Sequence, residues 1–596
     1  MMYINEGVNK KYCYACESIW DKSHKKYSTP SKCIGHLDTD KSFIPNLYLS
    51  QLFYLESSDP SSLNENERLI IKTVINKYGD DIRIKAERFS LKQLSGDNLM
   101  TATAVFIGPD LVFSEITKRY RIGFLLEKSF GESIMKDILS LAWYIASEGS
   151  ALSNSDSWLD YYENPRGTAM SSQEVSRLLD AIDYDSMMTF YKLWLKEASK
   201  GSSKTEKTLY DLTSISYYGS SIDAAEYGYN RDHENLPQVN YALLCMRSTA
   251  MPLFAWPMNG SISDMSTLET TLQFLKKLQF TPDCLMMDRG FSSIDNMNGL
   301  FKNGHTFLQA VKINAKWIYG VIDASESLRF NPDAKIDVGG RTYYSSTIIC
   351  RWVRMKKISG RGTEKEMFHI HICGESSRDK YISNDKDIEV IAQYPCRIHV
   401  LFCQDLIGSQ YDKFMDRLKA ERDRLVADDE TDVQEEFEKY IKVDRKKYAR
   451  HRTVEYNTEM IAQHKNKYAG YICFLTNDRT IETASDALTE YSTRDYIEKD
   501  FDEMKNNLDM KRIRVQTDDR MKSRLFIQFI AEIYMREIRV CIRSSESCKK
   551  MTRKQIFSHI KTIYKVKFKG KYKDVYPELS KQQREILDAI NVRLRS

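Results

Sequence analysis

The period of the hydrophobic residues changes near residue 200, and this change constrains the fold more than any other feature of the chain. Before it, the apolar residues of SIMKDILSLAWYIASEG recur at intervals of three and four, which is typical of an amphipathic helix. Ser171 and Glu174, ahead of VSRLLDAI, form a capping-box signature for another helix. After the segment KGSSKTEK, apolar runs such as TLYDLTSISYY, QVNYALLCM and DCLMMD predict strands. The pattern therefore predicts a helical region followed by a mixed α/β sheet.

Further along the chain, strand patterns return in a second block. Beyond Lys312 the runs RTYYSSTIICRWVRM, EMFHIHICG and CRIHVLFC predict strands, and the charged stretch from Tyr411 to Arg452 predicts helix. GYICFLTND then resumes the apolar strand pattern, and the residues after it are helical and basic. These blocks predict an inserted β-rich subdomain with a charged helical arm.

The composition excludes disordered and membrane-spanning proteins. Hydrophobic residues make up 42% of the 596 residues and charged residues 29%, which is typical of globular chains. The N-terminus has no apolar signal stretch, and no run approaches the about 18 apolar residues that cross a bilayer. We therefore expect a cytoplasmic protein without a membrane partner, whose 12 cysteines are reduced.

The first 50 residues are strand-like and carry a tight pair of cysteines, Cys13 and Cys16. Cys33, His24 and His36 are nearby in sequence, so a zinc site is an alternative to a plain hairpin. The spacing fits no standard zinc ribbon or finger, which favours the hairpin.

Positive charge is concentrated near the C-terminus. The net charge of the chain is +5, but residues 541–573, the basic segment, contain eleven Lys and Arg residues against one acid. Four aromatic residues interleave with these bases: Phe557, Tyr564, Phe568 and Tyr572. The basic segment predicts either a contact with nucleic acid, through phosphates and base stacking, or a solvated basic surface.

Two aspartates lie where the strand patterns make an acidic residue unusual. Asp288 ends the apolar strand CLMMD, at the edge where open α/β sheets place ligands and catalytic groups, and otherwise it caps the next turn. Asp211 lies within TLYDLTSIS, where burial is costly unless the carboxylate is paired or bound to metal. The alternative for Asp211 is a water-facing position on an edge strand.

A third acid, Glu498, lies in a helix predicted from Thr483 to Leu508, a stretch without Pro or Gly. On a helical wheel of about 100° per residue, three side chains fall within about 40° of Glu498: Tyr491, Arg494 and Lys505. A core-packing stripe lies beside them: Ile497, Phe501, Met504 and Leu508. Because one glutamate cannot need both cations, the helix predicts contact with a phosphate backbone. The alternative is ordinary i, i+4 ion pairs such as Arg494 with Glu498.

The spacing Tyr491-x2-Arg494-x3-Glu498-x6-Lys505 resembles the Y-R-E-K signature of the cut-and-paste DDE transposases of insertion-sequence family four. YDLTSIS and MMDRGFSS resemble the blocks around the first and second Asp of that family. YGYNRDHENLPQVNYALL is similar to the region between them in the family's long branch. The resemblance extends to about residue 538, and the residues after about 540 match no motif.

The resemblance implies an α/β fold with an RNase H-like mixed-sheet catalytic core, interrupted by a β-rich insertion, with a helical N-terminal domain and a helical basic C-terminus. We expect six regions: a strand-rich segment (1–50), a helical DNA-binding domain (51–200), the first part of the catalytic core (201–320), the β-rich insertion with its charged helical arm (321–470), the second part of the core (471–540), and the basic C-terminal region (541–596).

The resemblance also implies roles for the candidate residues. Asp211, Asp288 and Glu498 would be catalytic and would bind two Mg²⁺ ions, for which Mn²⁺ can substitute. The remaining signature residues would contact the phosphates of the DNA at the ends of the element: Tyr491, Arg494 and Lys505.

The family forms a DNA hairpin, and this step needs an aromatic plane for a flipped base. The sequence has no Trp after Trp352, so Tyr471 or Phe474 is the candidate for that plane.

The resemblance therefore implies a DNA transposase that cleaves the ends of an insertion sequence and transfers them to target DNA. The alternatives are a domesticated RNase H-like DNA endonuclease and a non-catalytic DNA-binding protein. The expected partners are double-stranded DNA, at the terminal inverted repeats and at the target, and a second copy of the chain. The apolar stretch SRLFIQFIAEIYM is a candidate for the dimer contact. The expected location is the cytoplasm of a bacterium or archaeon, in association with the nucleoid.

Overall fold

The computed structural model describes residues 2–6, 12–21, 26–38, 42–58, 60–86, 102–200, 206–313, 315–357, 366–373, 380–383, 385, 387–428, 430–434, 436–444, 452–568 and 574–592. This part of the chain is mixed α/β, with one large mixed sheet and many helices. It divides into two compact units, Met1–Phe106 with Ile563–Glu578, and Ile107–Thr562 with Leu579–Ser596. None of the helices described here combines the length and the apolar character that crossing a bilayer requires.

The first unit contains a small antiparallel sheet in the order β1-β2-β5-β6. Its elements are β1 (Met2–Glu6), β2 (Tyr12–Glu17), β3 (Ile19–Asp21), β4 (Lys26–Ser28), β5 (Ser31–Leu37), β6 (Phe43–Pro45), α1 (Leu47–Ser58), α2 (Glu65–Tyr78), β7 (Thr103–Phe106) and, after the second unit, β20 (Tyr564–Lys567). Cys13 is fully buried in the core of this unit, where the Tyr78 hydroxyl donates to its Sγ at 3.6 Å. His24, one of the possible zinc ligands, lies outside the described residues.

Helices open the second unit: α3 (Gly108–Arg119), α4 (Ile122–Phe130), α5 (Glu132–Glu148), α6 (Ser155–Tyr161), α7 (Ser172–Ala181) and α8 (Tyr184–Ala198). The predicted capping box at the start of α7 is confirmed, because the Ser171 side chain and the Glu174 side chain each accept from the other's backbone N–H. Two buried side chains attach α8 to the sheet. The Tyr191 hydroxyl donates to the Ala255 carbonyl at 2.9 Å, and Trp194 Nε1 donates to the Pro252 carbonyl at 2.8 Å.

A ten-stranded mixed sheet forms the centre of the second unit, in the order β10-β9-β8-β11-β12-β19-β16-β14-β13, with β15 paired to β14. The strands are β8 (Lys207–Ser216), β9 (Gln238–Met246), β10 (Pro252–Asn259), β11 (Cys284–Met287), β12 (Phe307–Ala310), β13 (Lys335–Val338), β14 (Arg341–Lys357), β15 (Glu366–Ile372), β16 (Ile388–Phe402) and β19 (Tyr471–Thr476). β8, β11 and β12 are parallel to one another, and the other neighbours are antiparallel. Three helices connect these strands: α9 (Asp264–Lys277), α10 (Ile294–Lys302) and α11 (Lys316–Ala324).

The strands expected to form a separate inserted subdomain continue the same sheet. β16 pairs with β19 along six residues, and β19 pairs with β12 of the first half. The charged arm consists of α12 (Leu406–Ala427), β17 (Ile441–Asp444), β18 (Thr453–Tyr456) and α13 (Thr458–Tyr468). This arm has a small apolar core of its own around Phe414, Leu418 and Tyr440.

The helix predicted from Thr483 to Leu508 is wrong as a single element, because the chain forms α14 (Ala484–Ser492) and α15 (Asp495–Asn507) with a turn between them. The Ser492 and Thr493 hydroxyls each donate to a carbonyl three residues earlier at 2.7 Å. The backbone N–H groups of Thr493 and Arg494 also bond to carbonyls three residues back. Such local hydrogen bonds compete with the regular helical ladder.

Three further helices follow: α16 (Asp518–Ser544), α17 (Arg553–Ile560) and α18 (Lys581–Ala589). α16 contains the stretch SRLFIQFIAEIYM and packs against α5, α7 and β10. Its apolar side chains are buried inside this same unit, for example Ile527, Ile530 and Ile533, each fully buried. The suggestion that this stretch supplies a dimer contact is therefore wrong.

Candidate active site

Asp211 and Asp288 lie on neighbouring parallel strands in the middle of the large sheet. β8, which carries Asp211, pairs with β9 on one side and β11 on the other. The register places Met287, the last residue of β11, beside Tyr210, so that Asp288 follows beside Asp211. Asp211 is only 8% exposed. Its alternative position on a water-facing edge strand is therefore excluded.

Asp288 is held at the strand end by contacts from three directions. Its Oδ1 accepts from the Arg289 N–H and from the Tyr491 hydroxyl, both at 2.7 Å. Gln309 Nε2, from β12, donates to its carbonyl oxygen at 2.6 Å. Asp288 thus caps the next turn and also faces the helices that carry the signature residues.

Arg494 bridges three carboxylates, which we name the carboxylate cluster: Asp211, Asp288 and Glu498. Nη2 of Arg494 lies 2.8 Å from Asp211 Oδ2 and 3.5 Å from Asp288 Oδ2. Nη1 lies 3.0 Å from Glu498 Oε1 and donates to the Tyr491 hydroxyl at 3.4 Å. Five of the six predicted site residues therefore meet in one place.

Glu498 reaches the cluster from α15, one turn beyond Arg494. The predicted apolar stripe of this helix is confirmed, since Ile497, Met504 and Leu508 are at most 1% exposed. The Glu498 side chain itself is 56% exposed. The buried stripe thus docks the helix, while Glu498 lies on the solvent side of the cluster.

The cluster combines burial with an excess of negative charge. Burial raises the pKa of Asp211 above its usual range, although the charge of Arg494 acts in the opposite direction. Burial alone would lower the pKa of the Arg494 guanidinium. The neighbouring Asp211, Tyr491 and Asp288 have the larger, opposite effect, so the pKa lies above its usual value. Burial, with the nearby charge of Asp288, also raises the pKa of the Tyr491 hydroxyl. Arg494 is therefore a permanent cation that faces three acids.

Lys505, the sixth predicted residue, lies outside the carboxylate cluster. Its Nζ donates to both carboxylate oxygens of Asp232 at 2.8 Å, and the two side chains are 12% and 27% exposed. Asp232 belongs to the segment between β8 and β9, so this ion pair joins α15 to that segment. A phosphate contact by Lys505 stays a prediction.

An open cleft of about 1240 Å³ borders the carboxylate cluster. One wall contains the cluster together with Arg231, Asp264 and Arg289. The other wall comes from the insertion, with side chains of α12 such as Lys413 and Arg417. The cluster is therefore accessible to a ligand that contacts both halves of the sheet.

No protein-family model and no curated protein matches this sequence. Among solved structures, the chain is similar to a cryo-EM structure of a piggyBac transposase synaptic complex with hairpin DNA, with a TM-score of 0.21 and 12% sequence identity. The match covers 45% of this chain and spans about half, 53%, of the piggyBac chain. A TM-score of this size does not establish a shared fold.

The carboxylate cluster fits divalent magnesium in its chemistry, because carboxylate oxygens are the ligands that this ion prefers. In this structure the three carboxylates are turned towards the Arg494 guanidinium. Within the described ranges, no group of three or more His, Cys, Asp and Glu side chains is arranged to hold a metal ion. The donor atoms are of the type that magnesium prefers, but in this arrangement they contact Arg494, which balances part of their charge.

Tyr471 and Phe474 do not offer an exposed aromatic plane, because both are fully buried in β19. The Phe474 ring packs against Tyr491, with ring centroids 4.9 Å apart. The Tyr471 ring packs against Phe402, and its hydroxyl accepts from Arg329 at 3.2 Å. The expectation that one of them stacks on a base is therefore wrong for this arrangement of the strand.

Part of the charge of the basic segment is used within the chain. Lys561 forms an ion pair with Glu148 at 2.7 Å, and Arg553 donates to the Ala146 carbonyl at 2.6 Å. Phe557, one of the interleaved aromatics, is buried. Five of its residues lie outside the described ranges: Lys569, Gly570, Lys571, Tyr572 and Lys573. DNA binding by the basic segment stays a prediction.

The sequence interpretation matched the segment between β8 and β9 to the family but gave its residues no role in the site, to which the segment contributes several polar residues. Arg231 of this segment pairs with Asp264 at 2.6 Å, and Tyr229 lines the cleft. The signal in the sequence was the concentration of tyrosines and charged residues in YGYNRDHEN, which has no strand or helix period.

Proposed function

We propose that this chain is a DNA transposase of the DDE type, which cleaves the ends of an insertion sequence and transfers them to target DNA. The main support is the convergence of Asp211, Asp288 and Glu498 beside an open cleft, although 77 and 210 residues separate them along the chain. Three carboxylates that all contact one guanidinium lie close enough to repel one another. Their convergence therefore favours a function that needs concentrated negative charge.

The sheet topology is compatible with an RNase H-like catalytic core. Asp211 lies in a central strand, Asp288 follows the adjacent parallel strand, and Glu498 comes from a helix. Membership of insertion-sequence family four rests on the sequence resemblance, above all on the spacing of the Y-R-E-K residues.

Asp211, Asp288 and Glu498 would hold two Mg²⁺ ions, or Mn²⁺ in their place. When bound, such ions activate a water or a DNA 3′-hydroxyl and stabilise the leaving oxygen. Asp211 and Asp288 would supply rigidly held oxygens because they are attached to β8 and β11. Glu498, with its exposed side chain, would be able to adjust its position.

Arg494 would contact the phosphates of the terminal DNA. Arg494 lines the open cleft beside the carboxylate cluster, which supports such a contact. Tyr491 would orient Asp288 through its hydroxyl as well as contact DNA. Lys505 would reach a phosphate by exchanging Asp232 for it.

The burial of Tyr471 and Phe474 favours a second candidate function. An RNase H-like DNA endonuclease would use the same carboxylates to cut DNA without strand transfer, and it would not need an aromatic plane for a hairpin. The two candidates differ in whether the cut 3′ end is joined to a second DNA molecule.

The proposed partners are double-stranded DNA, at terminal inverted repeats and at the target, and a second copy of the chain bound to the same DNA. Cleavage at two ends favours such a homodimer. The proposed location is the bacterial or archaeal cytoplasm, in association with the nucleoid.

The direct test measures cleavage of a supercoiled plasmid that carries the DNA flanking the gene, in the presence of Mg²⁺ or Mn²⁺. We expect nicking by the wild type and none by Asp211→Asn, Asp288→Asn or Glu498→Gln, because each substitution keeps the side-chain volume and removes a charge. DNA binding should persist in all three variants.

The matched control is Asp416→Asn, since Asp416 is an exposed acid that lines the same cleft on α12. This control should nick at the wild-type rate. Nicking by any of the three cluster variants would contradict the assignment of the carboxylates. Plasmid products joined to a second DNA would separate the transposase from the endonuclease.

A further inference from the structure

The segment between β8 and β9 exposes three large aromatic rings. Tyr218, Tyr227 and Tyr229 are 72%, 67% and 70% exposed. Aromatic side chains on this scale usually bury most of their surface, and exposed ones are enriched where a partner stacks on them. Of these three, Tyr229 lines the cleft beside Asp211.

The backbone around Tyr229 is held firmly although its ring is exposed. Gln238 Nε2 donates to the Tyr229 carbonyl at 2.7 Å. The next residue, Asn230, is buried and donates to Ser216 Oγ at 3.1 Å. Arg231 then bonds to Ser214 Oγ through its backbone N–H at 3.3 Å. A ring presented from an ordered backbone loses little conformational entropy when a ligand stacks on it.

Cationic side chains without ion-pair partners lie along the same cleft. Among the described residues, Arg289, Lys312 and Lys413 form no ion pair. Of the acids that line the cleft in the described part of the chain, Asp416 alone forms none. Outside the carboxylate cluster and the paired side chains, the lining thus carries three cations against one acid, in the same cleft as an exposed ring. Single-strand recognition combines two elements. Basic side chains contact the sugar–phosphate backbone of the nucleic acid, and an aromatic ring stacks on its bases.

Stacking distinguishes a single strand from a duplex. In a double helix the faces of the bases are covered by their neighbours, so a protein ring reaches a base face without the cost of unstacking only where the strand is unpaired. The volume of about 1240 Å³ also exceeds the usual range of about 300–1,000 Å³ for small-molecule pockets. The cleft therefore fits a polymer strand better than a small ligand.

We propose that the cleft binds an unpaired DNA strand, with one base stacked on Tyr229 and the sugar–phosphate backbone against Lys312 and Lys413. This rests on the proposed function, because it identifies the form in which DNA enters the same site. Tyr229 then acts as a positioning residue, which places the strand beside the carboxylate cluster.

The test compares two fluorescein-labelled probes of equal length, an oligo(dT) strand and a blunt duplex of random sequence, by fluorescence anisotropy with the full chain. Tyr229→Ala should lower the affinity for oligo(dT) by about 5- to 150-fold, which corresponds to the about 1–3 kcal/mol of one base–aromatic stack. It should leave the affinity for the blunt duplex unchanged. Tyr229→Phe should bind both probes as the wild type does, because it keeps the ring.

Tyr227→Ala is the matched control, since Tyr227 lies in the same segment with similar exposure but does not line the cleft. It should bind oligo(dT) as the wild type does. For the backbone contact, Lys413→Ala should reduce the slope of log affinity against log salt for oligo(dT) by up to about 0.7. Lys419→Ala, an exposed lysine of the same helix outside the cleft, should not.

The outcomes separate this proposal from the proposed function. If the wild type binds neither probe, the proposed function fails and this proposal fails with it. If the wild type binds both probes but Tyr229→Ala does not weaken oligo(dT) binding, or weakens both probes equally, the stacking proposal alone is overturned. An equal loss in Tyr227→Ala would also overturn the assignment to Tyr229.

Discussion

The two ends of α15 each hold a basic side chain against acidic partners, but the charges balance at one end only. At the C-terminal end, Lys505 meets the single carboxylate of Asp232. At the N-terminal end, the Arg494 guanidinium meets three carboxylates, one of which is exposed to the cleft. The first arrangement is a neutral ion pair, whereas the second keeps an excess of negative charge.

This difference distinguishes Arg494 from Lys505, although the Y-R-E-K resemblance implies a phosphate contact for both. A balanced ion pair leaves no excess charge, so in this structure Lys505 and Asp232 attach α15 to the segment before β9. The unbalanced end has more negative than positive charge, so it can attract a further cation. The excess negative charge is therefore at one end of the helix, and the ion pair at the other end supports its position.

The largest effect is expected from Arg494→Ala. The substitution leaves Asp211 buried without its cation, and breaking a buried pair in this way typically costs about 3–5 kcal/mol of folding free energy. Urea unfolding followed by circular dichroism measures the loss.

The Arg494→Ala, Asp211→Asn double variant is the control for that measurement. It should recover part of the lost stability because the uncompensated charge is gone. A double variant less stable than Arg494→Ala would contradict the electrostatic explanation. A loss below about 1 kcal/mol in the single variant would show that the folded state does not depend on Arg494 to compensate the buried Asp211 charge.

A somewhat smaller effect is expected when Mg²⁺ is added. The guanidinium and the ion compete for the same oxygens, so Mg²⁺ should raise the melting temperature of Arg494→Ala more than that of the wild type. Binding to the folded state alone stabilises by about 2.7 kcal/mol when the ligand is at 100 times its Kd. Removing Mg²⁺ with EDTA should reverse the gain. Equal gains in both proteins would show that Arg494 and the ion do not compete.

Lys505→Met should have a smaller effect on stability than Arg494→Ala. A partly exposed ion pair contributes about 1 kcal/mol, which a double-mutant cycle with Asp232→Asn measures.

For duplex DNA, Arg494→Ala should reduce the slope of log affinity against log salt by up to about one. Lys505→Met should reduce it less, because its ammonium is shared with Asp232. Equal reductions would remove the distinction between the two ends of α15.

The last expected effect is on the pH dependence of stability. Because burial raises the pKa of Asp211, the folded state holds this proton more tightly than the unfolded chain does. The contribution of Asp211 is thus present below its unfolded pKa, near 3.8, and is lost as the pH rises through the higher folded value. The unfolding free energy of the wild type minus that of Asp211→Asn should therefore fall between pH 3.8 and neutral pH. A difference that grows with pH would indicate a lowered pKa.

The features that sequence analysis predicted depend on residues close together in the chain. The capping box of α7 needs only Ser171 and Glu174, and the buried stripe of α15 follows from its own period. Asp288 was placed at a strand end by the apolar run before it. Burial of Asp211 was one of two alternatives, and the pairing of β8 on both sides decided between them.

The features that sequence analysis missed depend on distant partners or on weak local competition. Whether Phe474 faces a cleft or a core depends on its pairing with His399 in β16, 75 residues earlier. The break between α14 and α15 depends on the Ser492 and Thr493 hydroxyls, which the helical period does not register. The meeting of Arg494 with three carboxylates requires the register of β8 against β11, which neither strand encodes alone.

The position of β19 determines whether the insertion can be removed from this chain. Because β19 pairs with β12 on one side and β16 on the other, the insertion is joined to the core by a continuous hydrogen-bonded sheet. Excising the insertion would convert β19, with its apolar residues Cys473, Phe474 and Leu475, into an unprotected edge strand that is prone to intermolecular pairing. The two halves of the sheet are therefore not interchangeable cassettes, and a viable shorter relative of this chain would need a new strand or a charged edge in place of β16.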